Sequence, residues 1–298
     1  MLNFYDYVAN SKYYKTFKVD DLLMAEYKCL LQGDRVFFWT HTNFFAFILS
    51  GEIKYFHGDR EHVAKQGESM FVRKGAYVAS QHGAGDYCAL IIFLTDEFIQ
   101  GVVSKYRSVA GKHQAEQVHG NESIFLVPVD ESLSAYFQSL LSYFGKDTPP
   151  GQELLRLKFE EAILNILTNR QNPALANCMS SMKDCGKIPI REVMERSFML
   201  PMSLDEYARL AARSLSAFKA DFKEVYGMSP GKWVIRARIQ YARQLIETSG
   251  DSVGDIAGKS GFKNTTHFVK VFKETYGTSP LQHRLRTVAQ EQEAGECA

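Results

Sequence analysis

Two segments of the sequence place short polar and basic side chains at helical spacing, opposite a pair of phenylalanines. The pairs are Phe218 with Phe222 and Phe268 with Phe272, and residues four apart share one face of a helix. The side chains expected on the opposite face are Ser216, Ala217, Lys219, Ala220 and Lys223 in the first segment and Asn264, Thr265, Thr266, Lys270 and Lys273 in the second. Short Ser, Thr and Asn side chains let a helix approach base edges, and Lys can donate to guanine or to phosphate. The pattern favours recognition of DNA in the major groove, although a solvated helix face would use the same residue types.

Each segment is the second half of a longer duplicated unit. Copy one is "SLDEYARLAARSLSAFKADFKEVYGMSP" and copy two is "SVGDIAGKSGFKNTTHFVKVFKETYGTSP", which has one extra residue in its break. A Ser cap opens each copy, and Gly227 and Gly277 follow the second helix, where a left-handed residue ends a helix at low cost. Helices of about eight and about twelve residues around a turn of three or four are typical of a helix-turn-helix. The residues expected to face inward are Leu215, Phe218, Phe222 and Val225 in copy one and Phe268, Val271, Phe272 and Thr275 in copy two.

A long helix is predicted between the two units, in "SPGKWVIRARIQYARQLIETSGD". Ser229 and Pro230 are a good N-cap and a good first helical residue. About seventeen residues of helix are about 25 Å long, so this helix could hold two recognition helices near successive major grooves, about 34 Å apart, with bending of the DNA closing the difference. The side chains expected to contact phosphate are Lys223, Arg236, Arg238, Lys263 and Lys273.

The charge of the chain is concentrated in the same region. The formal charge is −3 over residues 1–186, +7 over residues 187–286 and −3 over the remaining tail, which together give the net +1. A basic segment beside a mildly acidic one indicates that the C-terminal part meets a polyanion.

The N-terminal part has the pattern of an all-β unit followed by helices. Short aromatic and β-branched runs such as "FFAFILS" and "CALIIFL" alternate with Gly turns, which predicts a closed or double-sheet unit. Apolar residues at helical spacing predict two further helices, around residues 133–144 and 155–167. The stretch after them, rich in small polar residues, predicts an interdomain linker.

The segment from Leu204 to Arg286 resembles the AraC/XylS family of bacterial transcription regulators. The residues that carry the resemblance are Ile256, Ala257, Gly261, Phe262, Phe268, Phe272, Gly277, Ser279 and Pro280 of copy two, followed by Arg284. The resemblance implies that the helices beginning near Leu215 and Asn264 are recognition helices. It implies base-facing positions at Ser216, Lys219, Ala220, Thr265, Thr266 and Lys270. Ala220 stands where the family often has a long polar side chain, so weaker base recognition is expected from the first helix.

The predicted fold class is α+β in two domains. An N-terminal cupin-like β-barrel, which the family resemblance implies, is followed by a helical pair and then by an all-α domain with two helix-turn-helix units joined by a long helix. The predicted boundaries are 1–172 for the regulatory and dimerisation domain, 173–187 for the linker, 188–287 for the DNA-binding domain and 288–298 for an acidic tail.

The predicted function is sequence-specific regulation of transcription, with activation favoured over repression. The expected partners are double-stranded promoter DNA, RNA polymerase and a second copy of the chain, while a small-molecule or protein effector stays open. No secretory signal is evident, and the longest apolar stretch, Cys88–Leu94, is too short to span a bilayer. A cytoplasmic location without a membrane partner is therefore expected.

The alternative function is a cupin-type small-molecule binder or metalloenzyme in which the helical half is an interaction module. Metal-dependent cupins carry an HxH motif, which is not formed by His41, His57, His62, His82, His113 or His119. We therefore expect no metal, no cofactor and no enzyme activity. The barrel could enclose a ligand or be packed solid, and the aromatic residues expected inside it are Phe37, Trp39, Phe45, Phe47, Tyr55, Phe71 and Phe93. Arg73 and Lys74, at a strand end, fit either an anionic effector or a solvated sheet edge.

Overall fold

The computed structural model shows two compact units, one spanning Leu2–Gly186 and the other beginning at Lys187. The structure describes residues 1–28, 36–57, 60–81, 87–106, 122–146, 148–169, 171–182 and 189–286. None of the helices in these ranges combines the length and the apolar character needed to cross a bilayer. The predicted acidic tail, residues 288–298, lies outside the described residues.

The first unit contains two sheets. In chain order the strands are β1 (Leu2–Asn3), β2 (Thr16–Val19), β3 (Leu22–Lys28), β4 (Val36–Thr40), β5 (Asn43–Ser50), β6 (Glu52–His57), β7 (Arg60–Lys65), β8 (Ser69–Val72), β9 (Gly75–Gln81), β10 (Cys88–Leu94) and β11 (Ile124–Val127). One sheet has the order β1-β4-β9-β6-β7 and the other β11-β8-β5-β10-β3-β2. The short pair β1 and β4 is parallel, and the other paired strands are antiparallel. The described strands therefore form a double-sheet unit, and they do not close into the single barrel that was expected.

The central strand β5 is apolar on both of its faces because both are covered. Phe44, Ala46 and Ile48 point into the core between the sheets, whereas Phe45 points into a second core beneath the helices. Successive side chains of a strand point to opposite faces, so a strand covered on both sides has a continuous apolar run.

The predicted set of barrel-lining aromatic residues is therefore wrong as a set. Phe45, Phe47 and Phe71 pack in the helix-covered core, whereas Tyr55 and Phe93 lie between the sheets. The side chain of Phe37 is 39% exposed. Alternate residues of a strand point to opposite faces, but in a continuous apolar run no polar residue marks either face as solvent-exposed. The sequence therefore does not indicate which of the alternate residues point into which core.

The space between the sheets is filled by aromatic rings around Phe4. Helix α1 (Phe4–Ala9) carries this residue, and Asn3 caps the helix by accepting from the amide of Asp6 at 3.0 Å. The rings nearest Phe4 are those of Tyr27 at 5.4 Å, Phe38 at 5.3 Å, Phe44 at 5.3 Å and Phe93 at 5.5 Å between centroids. Of the two alternatives for this interior, a ligand space or solid packing, the structure shows packing at this position.

Helices cover the outer face of the six-stranded sheet. They are α2 (Asp96–Lys105), α3 (Glu131–Phe144), α4 (Gln152–Thr168) and α5 (Pro173–Ser181). The rings of Phe137 and Phe47 stack with centroids 4.2 Å apart. The predicted pair of helices corresponds to α3 and α4, whereas the sequence pattern did not predict α1 or α2.

The predicted linker over 173–187 requires correction at its start. Residues 173–181 form helix α5, capped by Asn172, and the side chains of Leu175 and Met179 are fully buried in the core beneath the helices. The small polar residues of this stretch lie on a short amphipathic helix, whose two large buried side chains, Leu175 and Met179, were too few to give a periodic signal. Residues 183–188 lie outside the described part of the chain.

The second unit is helical. Its helices are α6 (Ile190–Ser197), α7 (Leu204–Leu210), α8 (Leu215–Tyr226), α9 (Pro230–Thr248), α10 (Val253–Lys259) and α11 (Thr265–Tyr276), and residues 280–286 are also helical. The two predicted helix-turn-helix pairs are α7 with α8 and α10 with α11, and the predicted long helix is α9.

The repeated "YGxSP" phrase ends each recognition helix in the same way. Gly227 and Gly277 adopt left-handed φ values of 67° and 75°, and the N–H of each glycine bonds back to the preceding helix. After each turn one aromatic ring returns to pack on that helix. Trp233 lies 4.9 Å from Tyr226, and His283 lies 5.9 Å from Tyr276, between ring centroids. Each copy of the phrase therefore ends its recognition helix and brings the following helix into contact with it.

We predict that Leu175→Ala destabilises the first unit by about 2 to 4 kcal/mol, because it leaves a cavity in a packed core. Ser180→Ala is the matched control, since Ser180 is exposed on the same helix and its loss should change stability by less than about 0.5 kcal/mol. Urea unfolding of the full chain, followed by circular dichroism, measures both. Equal and negligible effects would mean that this segment is a linker after all.

Candidate nucleic-acid interface

The first helix-turn-helix is defined by caps at both of its helices. Ser203 and Glu206 form a reciprocal capping box at the start of α7. Ser214 caps α8, accepting from the amide of Ala217 at 3.3 Å. Between the helices Ala212 adopts a left-handed φ of 52°, which is uncommon for a residue other than glycine. These local contacts fix where α8 begins and therefore which residues of its first turn face outward.

The second helix-turn-helix repeats this geometry. Its turn contains Gly261 with φ 82°, at the position equivalent to Ala212. In copy one the amide of Arg213 donates to Ala208 O at 2.9 Å, and in copy two the amide of Phe262 donates to Ala257 O at 2.9 Å. The turns are thus the same up to this bond, and the extra residue of copy two lies after it.

The faces opposite the buried phenylalanines are exposed in both recognition helices. The exposed side chains on α8 are Ser216, Lys219, Ala220 and Lys223, and those on or directly before α11 are Asn264, Thr265, Thr266, Lys270 and Lys273. Phe218, Phe222, Phe268 and Phe272 are all fully buried. The structure therefore brings each group of predicted residues together on one helix.

Two residues that were expected to face inward do not. Val225 is 47% exposed, and Thr275 is exposed. Each lies in the last turn of its helix, one turn beyond the second buried phenylalanine. In that turn the ring of the next residue packs inward instead, Tyr226 on Phe222 with centroids 4.6 Å apart and Tyr276 on Phe272 with centroids 4.8 Å apart.

Asn264 has a structural task in addition to its predicted contact with a base. It is the N-cap of α11, and its Oδ1 accepts from the amide of His267 at 3.1 Å. The carboxamide oxygen is therefore committed to the helix, which leaves the NH₂ group as the part directed to a ligand. Ser216 is similarly placed beside a cap, with its hydroxyl 3.2 Å from that of Ser214.

Among the predicted phosphate contacts, Arg238 requires correction. Its Nε donates to Phe198 O at 2.7 Å and its guanidinium NH₂ donates to Leu200 O at 2.6 Å, so the group is directed into the domain. Arg236 and Lys263 are exposed, as the prediction requires. A helical pattern of arginines cannot distinguish the two roles, because the carbonyl oxygens that hold Arg238 belong to a loop about forty residues away.

His267 was missed. It is exposed in the first turn of α11, between Thr266 and the buried Phe268, and its ring centroid lies 5.9 Å from that of Phe262. Its position directly after two threonines predicted to face bases was the available signal.

The ion pair that Lys270 forms on the face of α11 is weak. Lys270 Nζ lies 4.0 Å from Glu274 Oε1, and both side chains are more than 60% exposed. Exposed pairs of this kind contribute about 0.5 kcal/mol, so a phosphate or a base can displace them at little cost.

The first unit contains the residues that were considered for binding an anionic effector or a metal. Lys74 Nζ lies 2.6 Å from Asp96 Oδ2, and Asn43 donates to the other oxygen of the same carboxylate at 2.7 Å. Lys74 is therefore paired within the unit, which favours neither of the two alternatives for it, an anionic effector or a solvated sheet edge. Within the described ranges no three His, Cys, Asp or Glu side chains converge as metal ligands. His82, His113 and His119 lie outside these ranges.

Both units match known protein families. A family model described as "ExsA N-terminal regulatory domain" matches residues 43–178, and one described as "Helix-turn-helix domain" matches residues 207–286. The HTH-type transcriptional regulator ExsA of Pseudomonas aeruginosa is 29% identical over 239 residues, which cover 80% of this chain and 84% of that protein. The virulence regulon transcriptional activator VirF of Yersinia enterocolitica is 26% identical over 246 residues, covering 81% and 89%.

Solved structures also match. ToxT from Vibrio cholerae, at 14% identity, covers 89% of this chain and 98% of its own, with a TM-score of 0.40. The DNA-binding domain of AdpA, a global transcriptional factor solved in complex with a target DNA, is 28% identical and covers 34% of this chain and 95% of its own, with a TM-score of 0.33.

We predict that Asn264→Ala lowers the stability of the second unit by about 1 kcal/mol, because the first turn of α11 loses its cap. Asn264→Ser retains a capping oxygen and should stay within a few tenths of a kcal/mol of the wild type. Thermal unfolding of the two variants measures the difference. If both variants unfold at the wild-type temperature, the cap makes no contribution.

Proposed function

The chain belongs to the AraC/XylS family of bacterial transcription regulators, and on this premise we propose that it recognises promoter DNA with α8 and α11 in successive major grooves. It is a sequence-specific DNA-binding regulator of transcription. The observation that carries the proposal is the pair of helix-turn-helix units with matching turns, which expose polar and basic helix faces from one compact unit. The name of the relative VirF, a transcriptional activator, supports activation.

The proposed contacts divide into base recognition and phosphate binding. The base-facing set is Ser216, Lys219, Ala220, Asn264, Thr265, Thr266 and Lys270, and the phosphate set is Lys223, Arg236, Lys263 and Lys273. Exposure of all these side chains supports both sets. Ala220 and Lys270 occupy equivalent positions, each two residues after the first buried phenylalanine, so α11 offers a long donor where α8 offers a methyl group. The two helices therefore contribute unequally to specificity.

The length of α9 supports contact with both grooves from one face. It contains 19 residues, which at about 1.5 Å per residue gives about 28 Å. Successive major grooves on one face lie about 34 Å apart, and moderate bending of the DNA removes the difference.

The first unit is proposed to regulate the second. We interpret its double sheet as cupin-like, and we propose that α3 and α4 form a homodimer contact. Two exposed leucines on α4 support this contact, Leu154 at 42% and Leu157 at 58% exposure. RNA polymerase is the proposed partner at the promoter, and an effector of unassigned chemistry is compatible with this arrangement. The alternative function, a cupin-type small-molecule binder or metalloenzyme whose helical half is only an interaction module, is not supported by these relatives, which are named as transcription regulators.

Binding of the full chain to DNA tests the proposal. We predict a preference of about a thousandfold or more for a selected site over random duplex, with affinity falling steeply as salt rises because basic side chains release counterions. A gel-shift series over salt concentration measures both quantities. Equal affinity for selected and random duplexes at every salt concentration would contradict sequence-specific binding.

We predict that Thr266→Ala relaxes the preference at one base position by about 1 to 3 kcal/mol and leaves the other positions unchanged. Arg236→Ala is the control for a phosphate contact. It should weaken binding to all sequences alike and reduce the salt slope by about one. Competition assays with single-base variants of the selected site provide the measurement. A uniform loss for Thr266→Ala would show that this residue does not read a base.

A further inference from the structure

Residues 197–200 are the last residue of α6 and the first three residues of the connection to α7, and we call them loop 197–200. This segment is hydrogen-bonded both to the first helix-turn-helix and to α9. Tyr207, in the first helix-turn-helix, donates its hydroxyl to Ser197 O at 3.0 Å. Burial raises the pKa of Tyr207 to about 12, so the hydroxyl stays protonated and remains a donor at neutral pH. Arg238, on the connecting helix α9, donates to Phe198 O and to Leu200 O at 2.7 and 2.6 Å. The planar fork of a guanidinium can serve two carbonyl oxygens at once.

The aromatic ring of the same loop reinforces this attachment. Phe198 meets Trp233 and Tyr241 of α9 edge to face, with centroids 6.2 and 6.1 Å apart. The loop is therefore fixed to α9 by two charge-assisted hydrogen bonds and two ring contacts.

The other side of the loop touches the turn of the second helix-turn-helix. A Cβ added to Gly261 would overlap the carbonyl oxygen of Met199 and would lie 2.9 Å from Arg238 Nε. The backbone at Gly261 thus packs directly on the loop and on the guanidinium that holds it. Loop 197–200, Arg238 and Gly261 form one contact, which we call the joint.

The duplication separates two possible reasons for a glycine at 261. The equivalent position in copy one is Ala212, which is exposed and adopts a left-handed φ of 52°. Since alanine adopts that conformation in copy one, the conformation alone does not require glycine in copy two. The close approach of Met199 and Arg238 does require it. The sequence difference between the two turns therefore marks the joint.

We propose that Arg238 is a positioning residue, which fixes the two recognition helices relative to each other by holding loop 197–200 against Gly261. This inference rests on the proposed function. When the two recognition helices are held at one separation, binding of the first helix places the second over its major groove, which increases the affinity for the whole site. DNA whose two half-sites have another spacing does not gain this increase in affinity. Arg238 itself contacts no DNA.

The experiment measures how strictly the full chain requires one spacing. The probe is the duplex that the wild-type chain selects most tightly from a random-sequence library, alongside the same duplex with one base pair inserted between its two halves. We expect the wild type to prefer the original spacing by about tenfold or more. We expect Arg238→Met to reduce this ratio to about threefold or less, because the joint is released.

Arg236→Met is the matched control, since it removes an exposed arginine from the same helix. It should weaken binding to both duplexes equally and leave the ratio unchanged. Arg238→Lys keeps the charge but loses the planar fork, so its ratio should fall between those of the wild type and Arg238→Met. Gly261→Ala introduces a Cβ that overlaps Met199 O and so disrupts the joint on the side of the second helix-turn-helix. It should lower the ratio as well.

Two results would overturn the inference. If Arg238→Met binds both duplexes more weakly but keeps the wild-type ratio, Arg238 is a phosphate contact or serves stability alone. Should that variant fail to fold, a wild-type ratio in both Arg238→Lys and Gly261→Ala would have the same meaning. A wild-type chain that selects no two-part site would overturn the proposed function, and the inference with it.

Discussion

The structure of the DNA-binding unit depends on the burial of one helix, α9, against both helix-turn-helix units. Ile239, Ala242 and Ile246 share a core with the phenylalanines of α11, while nearer the N-terminus Trp233 packs on Phe222 of α8. A helix that is apolar along its length cannot remain exposed, so the two units must pack on it. Their separation is consequently set by the positions along α9 at which the apolar side chains occur.

The local signals of this unit were visible in the sequence. Gly227 and Gly277, the serine caps and the paired phenylalanines are short-range features whose meaning does not depend on distant contacts. Duplication strengthened them, since each turn could be compared with its copy. The polar faces followed directly, because a helix with two buried phenylalanines has only one solvent-facing side.

The remaining features depended on contacts distant in sequence. Phe44 points into the core between the sheets and Phe45 into the core beneath the helices, because the helices cover one face of the six-stranded sheet. No residue of β5 indicates which face that is. Arg238 differs from Arg236 only through carbonyl oxygens in the α6–α7 loop. Helix α5 resembles a linker because its few apolar residues acquire meaning only when α2 and α4 pack against them.

The central claim is that α8 and α11 occupy successive major grooves on one face of a duplex. Methylation interference at guanine N7, which lies in the major groove, tests it most directly on a duplex selected by the full chain. We expect two clusters of interfering guanines, centred about ten base pairs apart and therefore on the same face. A single cluster, or two clusters half a turn apart, would contradict it.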